Sequence, residues 1–313
     1  MKNDLEKMIE QSRILSWKKF GKNITFYHPG MFWYNGSWGD YPALSITGKY
    51  CELQCDHCKG KILESMISVS NPRELVQQCE ELKKKGNTGC LISGGSHKDG
   101  TLPWENFIPA IRTVKETLNL HISIHCGIIN LITAKKLKKA GVDQALIDVI
   151  GDDETFRNIY HCSFGIDKIE KSLDALRRAD VPIIPHIVVG LNYGKIKGEY
   201  HAIEMVKKYN PEAVTIVALM PLKDTPMENT LPPSPKEIAR VIATARIEMP
   251  SIPISLGCAR DRSNPEIDVL AVECGVNRIA LPSDEAIDKV KEFGLTIKWE
   301  KTCCSVPLKE REI

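Results

Sequence analysis

The sequence predicts an α/β protein built as a (βα)8 barrel of the TIM type, with an N-terminal extension and a C-terminal tail. Two observations carry this expectation. From Ala43 onward, eight short apolar runs alternate with helical stretches, the pattern of a parallel sheet covered by helices. The chemically distinctive residues follow the ends of those runs, on the carboxyl face where barrels place their chemistry. A doubly wound sheet alternates in a similar way, but the count of eight and the even spacing favour the barrel. The expected division is an extension over 1–42, a barrel over 43–293 and a tail over 294–313.

In chain order, residues 1–20 read as an amphipathic, charged helix presenting Leu5, Met8, Ile9, Ile14 and Leu15. The aromatic cluster of Phe26, Tyr27, Phe32, Trp33, Tyr34, Trp38 and Tyr41, with Gly30, Gly36 and Gly39, reads as a packed cap; a lid over the mouth is the functional alternative. Strands are expected at 43–47, 89–92, 121–126, 144–149, 183–189, 213–219, 252–256 and 276–280. Helices are expected at 71–85, 104–117, 131–140, 166–178, 198–209, 235–248, 265–273 and 284–293. Asn71-Pro72 supplies an N-cap and a first-turn proline, and Gly86 and Gly141 stop their helices.

Composition bounds the function. The 313 residues are 42% hydrophobic, enough for one large core. Lys+Arg of 42 against Asp+Glu of 40 argues against a nucleic-acid partner. No stretch reads as an export leader or membrane span, so no membrane partner and a cytoplasmic location are expected. Eleven cysteines in such a chain point to metal or redox work rather than disulfides.

Three of those cysteines, Cys51, Cys55 and Cys58, fall within eight residues as Cys-x3-Cys-x2-Cys, directly after the first strand. Three soft thiolates suit iron–sulfur chemistry. Three ligands on a four-iron cubane leave one iron open, and an open iron can chelate the amino and carboxylate groups of a small molecule. A structural zinc site wants four protein ligands, and a disulfide cannot use three thiols evenly. After strand two comes Ser93-Gly94-Gly95, where paired glycines let a ligand approach the backbone. His125, Asp148 and His186 lie on strands three, four and five, where alternation can turn them inward; each is equally readable as a satisfied core residue. After strand seven, Cys258 is followed by Arg260 and Ser263, and Cys303-Cys304 in the tail could fold back to it as a second metal centre. A loop with solvated arginines is the plainer alternative. Cys79, Cys162 and Cys274 read as buried structural thiols, whereas Cys90 and Cys126 stay open.

On these residues the chain resembles the biotin-synthase-like branch of the radical S-adenosylmethionine (SAM) superfamily, from about residue 43 to 295. The likeness includes the three-cysteine loop, Ser93-Gly94-Gly95, and the runs 187–191, 245–250, 255–260 and 274–277. It implies a [4Fe-4S] cluster on Cys51, Cys55 and Cys58, with SAM on the open iron. It implies His57 against the SAM adenine, 93–95 at the methionine amino group, and Val189, Leu219 and Met220 packing on adenine. His125, Asp148 and His186 become candidates for contact with SAM or substrate. Biotin synthase also carries a two-iron cluster on three barrel cysteines and an arginine. Those sites fall here near Ile92, Ser123 and Ile184, and only the arginine survives, as Arg260.

Residues 42–60 and 90–95 resemble the archaeal two-component lipoyl synthases most. That resemblance implies sulfur insertion into an octanoyl chain borne by a lipoyl-domain protein or peptide, drawn from a second, auxiliary cluster. Cys258, Cys303 and Cys304 are its candidate ligands, with Arg260 and Ser263 nearby. A partner radical SAM lipoyl synthase component would insert the other sulfur, and a reductant such as ferredoxin would supply electrons. The alternatives are a biotin-synthase-like enzyme without sulfur transfer, such as a rearrangement or maturase enzyme, and a non-catalytic iron–sulfur or zinc module.

Overall fold

A computed structural model describes residues 3–307; positions 308–313 of the expected tail and 1–2 of the expected extension lie outside the described residues. The elements run α1 (Asp4–Phe20), β1 (Asn23–Tyr27), a small hairpin of β2 (Trp33–Tyr34) and β3 (Ser37–Trp38), β4 (Ala43–Ser45), a 3-10 turn (Lys61–Ser65) and β5 (Ile67–Ser68). Then follow α2 (Pro72–Lys84), β6 (Gly89–Ser93), α3 (Trp104–Leu118), β7 (His121–His125), α4 (Leu131–Lys139), β8 (Gln144–Asp148), α5 (Asp153–Asn158) and α6 (Ile166–Arg178). The remainder is β9 (Ile183–Val189), α7 (Glu199–Lys207), β10 (Val214–Ala218), α8 (Pro235–Glu248), β11 (Ile254–Leu256), α9 (Glu266–Glu273), β12 (Arg278–Ala280), α10 (Asp284–Glu292) and β13 (Thr296–Glu300).

Eleven strands pair in parallel into one curled sheet, in the order β13-β1-β12-β11-β10-β9-β8-β7-β6-β4-β5. Among the described residues no pairing joins its two ends, so the sheet is a half-barrel of the TIM type rather than a closed ring of eight. Eight strands fall on the expected runs, and β1, β5 and β13 are additional. β1 buries Ile24 and Phe26, but the aromatics that follow it make the whole stretch read as a cap. β13 alternates Ile297 and Trp299 with charged residues and leaves Trp299 half exposed, a half-solvated edge that a period-2 reading passes over. α5 has six residues, too few to show helical periodicity; its sign is Asp152, which caps Thr155 N at 2.8 Å.

The strand periodicity divides apolar from polar. Ile92, Ile122, Ile124, Ile147, Ile187, Ile216 and Leu256 point outward and are buried against the helices, each contributing roughly 1.5–3 kcal/mol. Many inward positions are polar: Ser123, His125, Gln144, Asp148, His186, Thr215, Ser255 and Arg278, brought level by the strand register, with Leu91, Leu146 and Ile184 forming a small apolar layer among them. Part of this lumen satisfies itself. Tyr41 OH meets His121 Nδ1 at 2.8 Å and Ser123 Oγ at 2.7 Å, and Gln144 Nε2 donates to Ser123 Oγ at 2.9 Å and to Ser305 Oγ at 3.2 Å. The tail therefore dips into the lumen, held also by Arg278 donating to Cys304 O at 3.1 Å and Tyr27 OH to Val306 O at 3.1 Å.

The Ala-Arg-Ile-x-Met-Pro run has a structural cause. Arg246 is buried at the end of α8, donates to Ile252 O at 2.7 Å and to Asn277 Oδ1, and so pins α8 to the starts of β11 and β12. No helix among the described residues is long and apolar enough to cross a membrane.

Candidate functional site

At the carboxyl ends of β4, β6, β7 and β8 lies a cavity of about 280 Å³, lined among others by Cys51, Cys55, His57, Cys58, Ser93, Gly94, Gly95, His125 and Asp148. The loop after β4 can reach it because Gly94 and Gly95 follow β6. Gly95 N donates to Thr47 Oγ1 at 2.7 Å, and a Cβ on Gly95 would lie 2.5 Å from Cys51 Cβ. Any side chain there would push the cysteine loop off the sheet.

Two of the thiols share a hydrogen bond that splits their acidities. Cys55 is pushed up by hydrogen bonding to Cys58 and by burial. Cys58 is drawn down, to about 4, by the hydrogen bond from Cys55, against burial and with His57 adding to the pull. Among the described residues no three His, Cys, Asp or Glu side chains close on a single-ion site; the three thiols instead face one shared cavity. His57 is partly exposed, yet its Nδ1 is enclosed without a hydrogen-bond partner, an unmet group that a ligand would satisfy. The donor set thus fits a [4Fe-4S] cluster on Cys51, Cys55 and Cys58 with a small molecule beside it.

The sequence reading missed the wall that holds this loop. Ile159 O accepts from Asp56 N at 2.9 Å. The Tyr160 ring lies 5.4 Å from that of His57, and Phe156 and Phe164 continue the apolar wall. Cys162, read from sequence as bland, is near enough to Cys55 to raise it; burial pushes Cys162 itself up to about 11. The signal available was the aromatic spacing 156, 160, 164, which without a helix assignment carried little.

Deeper in, His125 Nε2 lies 3.3 Å from Asp148 Oδ1, and the His125 and His186 rings are 5.7 Å apart. Burial works against the charge on Asp148, but His125 outweighs it and holds the carboxyl down at about 2. Burial likewise opposes charge on His125, and Asp148 reverses that, so His125 is raised. His186, desolvated and facing His125, falls to about 4 and stays neutral. This trio stands between two thiol groups: Asp148 feels His57 on one side, and His125 feels Cys303 on the other.

Across the lumen, Cys258, Cys303 and Cys304 cluster with Tyr27 and Ala280. Cys303 is drawn down, to about 6, by hydrogen bonding from Cys304, with Ser305 donating to its Sγ at 3.2 Å. Burial pushes Cys258 up to about 11. Ala259 O accepts from Ala218 N at 2.9 Å, which holds the Cys258 turn against β10. Two hydroxyls missed from sequence face this space, Thr215 and Ser255; both are 0% exposed, and Thr215 Oγ1 and Ser255 Oγ have no partner.

Other expected residues sit elsewhere. Arg260 is 0% exposed and spent: Nε and Nη2 pair with Asp268 at 2.6 and 2.7 Å, while Nη1 and Nη2 donate to Gly257 O and Leu281 O. It braces α9 and offers no face to Cys258. Ser263 is exposed and turned onto Asp261 Oδ1 at 2.6 Å. Val189 points outward into the core, and Leu219 is buried below Pro232 and Pro233. Met220 is 39% exposed. None of the last three lines the cysteine cavity. Of the positions matched to a second barrel cluster, Ser123 and Ile184 do face inward, but Ile92 faces the helices and its neighbour Leu91 takes the inward place.

Residues 45–200 match the family model described as the Radical SAM superfamily, and residues 215–297 match the Biotin and Thiamin Synthesis associated domain. The chain is 27% identical to a biotin synthase of Aromatoleum aromaticum over 74% of this chain and 69% of that one. It is 26% identical to a biotin synthase of Prochlorococcus marinus, strain SARG, over 82% of each. Its fold resembles methylornithine synthase, with a TM-score of 0.67, 16% identity, and 95% and 91% of the two chains covered. It also resembles the FeFe-hydrogenase maturase HydG of Carboxydothermus hydrogenoformans, with a TM-score of 0.68, 18% identity, and 95% and 73% covered. With three thiols, an enclosed imidazole and a glycine-lined cavity at the mouth of a curled parallel sheet, the chain belongs to the radical SAM superfamily, in its biotin-synthase-like branch.

Proposed function

We propose that this radical SAM enzyme inserts sulfur into an unactivated C–H bond, and that its substrate is an octanoyl chain carried on a lipoyl-domain protein, as one component of a two-component lipoyl synthase. The observation that carries the sulfur step is the second group of thiols, Cys258, Cys303 and Cys304, facing the lumen opposite the three-cysteine loop. An auxiliary iron–sulfur cluster held there would be a substrate, giving up a sulfide to the acyl carbon.

The cluster on Cys51, Cys55 and Cys58 supplies, when bound, the electron that splits SAM. The protein's own residues do the rest. The glycine turn 94–95 admits the methionine end of SAM close to the backbone. His57 and Tyr160, whose rings are tilted 53° to each other, offer aromatic surface to its adenine. Ile128, Ile150 and Phe156 line the cavity with apolar surface, which excludes water from a reactive intermediate. His125, ion-paired to Asp148, and neutral His186 present polar groups to whatever crosses the lumen. The biotin synthases found as relatives act as named, but the inward Leu91, Ser123 and Ile184 offer no thiols for a second cluster on this chain's barrel strands. This absence of inward thiols on the barrel strands supports a sulfur donor at the tail instead.

Anaerobic iron and sulfide analysis tests the pair of clusters: about eight irons per chain are expected, against about four for one cluster. Reconstituted protein given SAM, reductant and an octanoyl-lysyl peptide should yield thiolated peptide. Deoxyadenosine with no sulfur in the peptide would remove the sulfur-insertion claim and favour a rearrangement or maturase reaction.

A further inference from the structure

Asp56 lies between two cluster ligands in sequence, yet its side chain turns away from the cluster and spans the mouth of the sheet. It is 7% exposed, and both oxygens are engaged. Oδ1 accepts from Lys59 Nζ at 3.0 Å and from His161 Nε2 at 2.8 Å; Oδ2 accepts from Tyr193 OH at 2.8 Å. Its amide donates to Ile159 O at 2.9 Å. Tyr193 belongs to the turn after β9, and three strands, β6, β7 and β8, separate β9 from β4 in the sheet. The bond therefore ties the cysteine loop to a distant part of the wall rather than to its own neighbourhood.

The far end is rigid. Tyr193 has φ 48° between Gly190 at 78° and Gly194 at 81°, a left-handed backbone that costs a non-glycine residue about 1–3 kcal/mol and persists only where its surroundings enforce it. Asn192 and Lys195 bridge the turn, and Gly194 packs so closely on Leu231 O that a Cβ would not fit. A second tie, Lys61 Nζ to Asp224 Oδ2 at 2.9 Å, is exposed and so weak.

We propose that Asp56 is a positioning residue: the Tyr193–Asp56–His161 strut holds the cysteine loop at a set distance from the wall at 159–162, so that the three thiols stay placed to grip the cluster. The inference rests on the family assignment, not on the substrate proposed above. Direct hydrogen-bond partners of metal ligands are worth about 10–100-fold in metal affinity; Asp56 acts one step further out, through the loop, so its two cross-links are expected at the low end of that range.

The test measures loss of iron to a ferrous chelator from anaerobically reconstituted protein, with the reduced-state EPR spectrum recorded with and without SAM. Asp56→Ala is expected to release iron about tenfold faster or more and to lose the spectral change SAM induces. Tyr193→Phe and His161→Gln are expected to release it several-fold faster with the global melting temperature nearly unchanged. Lys61→Ala is expected to stay within about twofold of wild type. Release from Asp56→Ala and Tyr193→Phe at the wild-type rate overturns the strut. If Asp56→Ala fails to fold, Tyr193→Phe decides alone: it removes the one hydroxyl bonded to Asp56 and keeps the ring. Failure of wild-type protein to take up iron would overturn the family-level chemistry and the strut together, and is thereby distinguished from equal release rates, which overturn the strut only.

Discussion

The two thiol groups that face the lumen are built in opposite ways. Cys51, Cys55 and Cys58 come from one loop of eight residues, whereas Cys258 follows β11 and Cys303 and Cys304 arrive on a tail that dips into the sheet. The first group is local in sequence and rests on the glycines that follow β6, on the wall at 159–162 and on the Asp56 contacts to His161 and Tyr193. The second exists only because Gln144, Arg278 and Tyr27 draw the tail inward. In a local set the spacing of the ligands is fixed by the chain and distant contacts only tune it; a set assembled from distant segments exists only while the bonds that hold the tail are made.

The largest expected contrast is in chemistry. Cys55→Ala should bring SAM cleavage to background, because the cofactor carries the reaction. Cys303→Ala should keep SAM cleavage within about tenfold while iron falls from about eight to about four per chain. Equal loss of cleavage in both variants would merge the two groups into one functional unit. Next in size is the brace beneath Cys258. Asp268→Ala leaves the buried Arg260 charge unpaired and should cost about 3–5 kcal/mol of stability in denaturant unfolding. A change below about 1 kcal/mol would show that water reaches Arg260, contrary to its burial.

Smaller still is the tail's own anchor. Gln144→Leu strips donors from Ser123 and Ser305 and should cost about 1–3 kcal/mol, with iron lost from the tail-side group before the loop-side group. Simultaneous loss of iron from both would deny that the tail is separately held. The smallest effect is the pH response of the trio between them. Asp148 is held down at about 2 and His125 is raised. Asp148's share is therefore complete above its ordinary value of about 3.9 and fades only as pH falls toward 2, while His125's share is complete below its ordinary value of about 6.5 and fades as pH rises through its raised value. The difference in melting temperature between wild type and His125→Gln should shrink as pH climbs from about 6 to about 9. A gap that widens would mean the imidazole is neutral in the fold.

Much was legible because it is written at short range. The apolar runs of β4 and β6 to β12, the Asn71 cap, and the Cys-x3-Cys-x2-Cys spacing depend on residues a few positions apart, and each reappears in the structure. The losses share a cause too. Arg260 beside Cys258 looked like a ligand because sequence shows adjacency but not direction; its guanidinium turns to Asp268. Val189 sits at the right strand end but on the outward phase. Tyr160, Thr215 and Ser255 carry no signature that marks them apart from ordinary core residues, and β1 and β13 gain meaning only from pairing with each other and with β12.

By itself the sequence determined the strand and helix rhythm and the thiol loop at its first turn, since propensity, capping and ligand spacing act between near neighbours. Only the tertiary structure decided that no pairing joins the ends of the sheet among the described residues, that the tail enters the lumen, and that Asp56 reaches Tyr193 across the mouth. Those outcomes depend on which distant polar groups meet out of water, where an unmet hydrogen bond costs too much to leave.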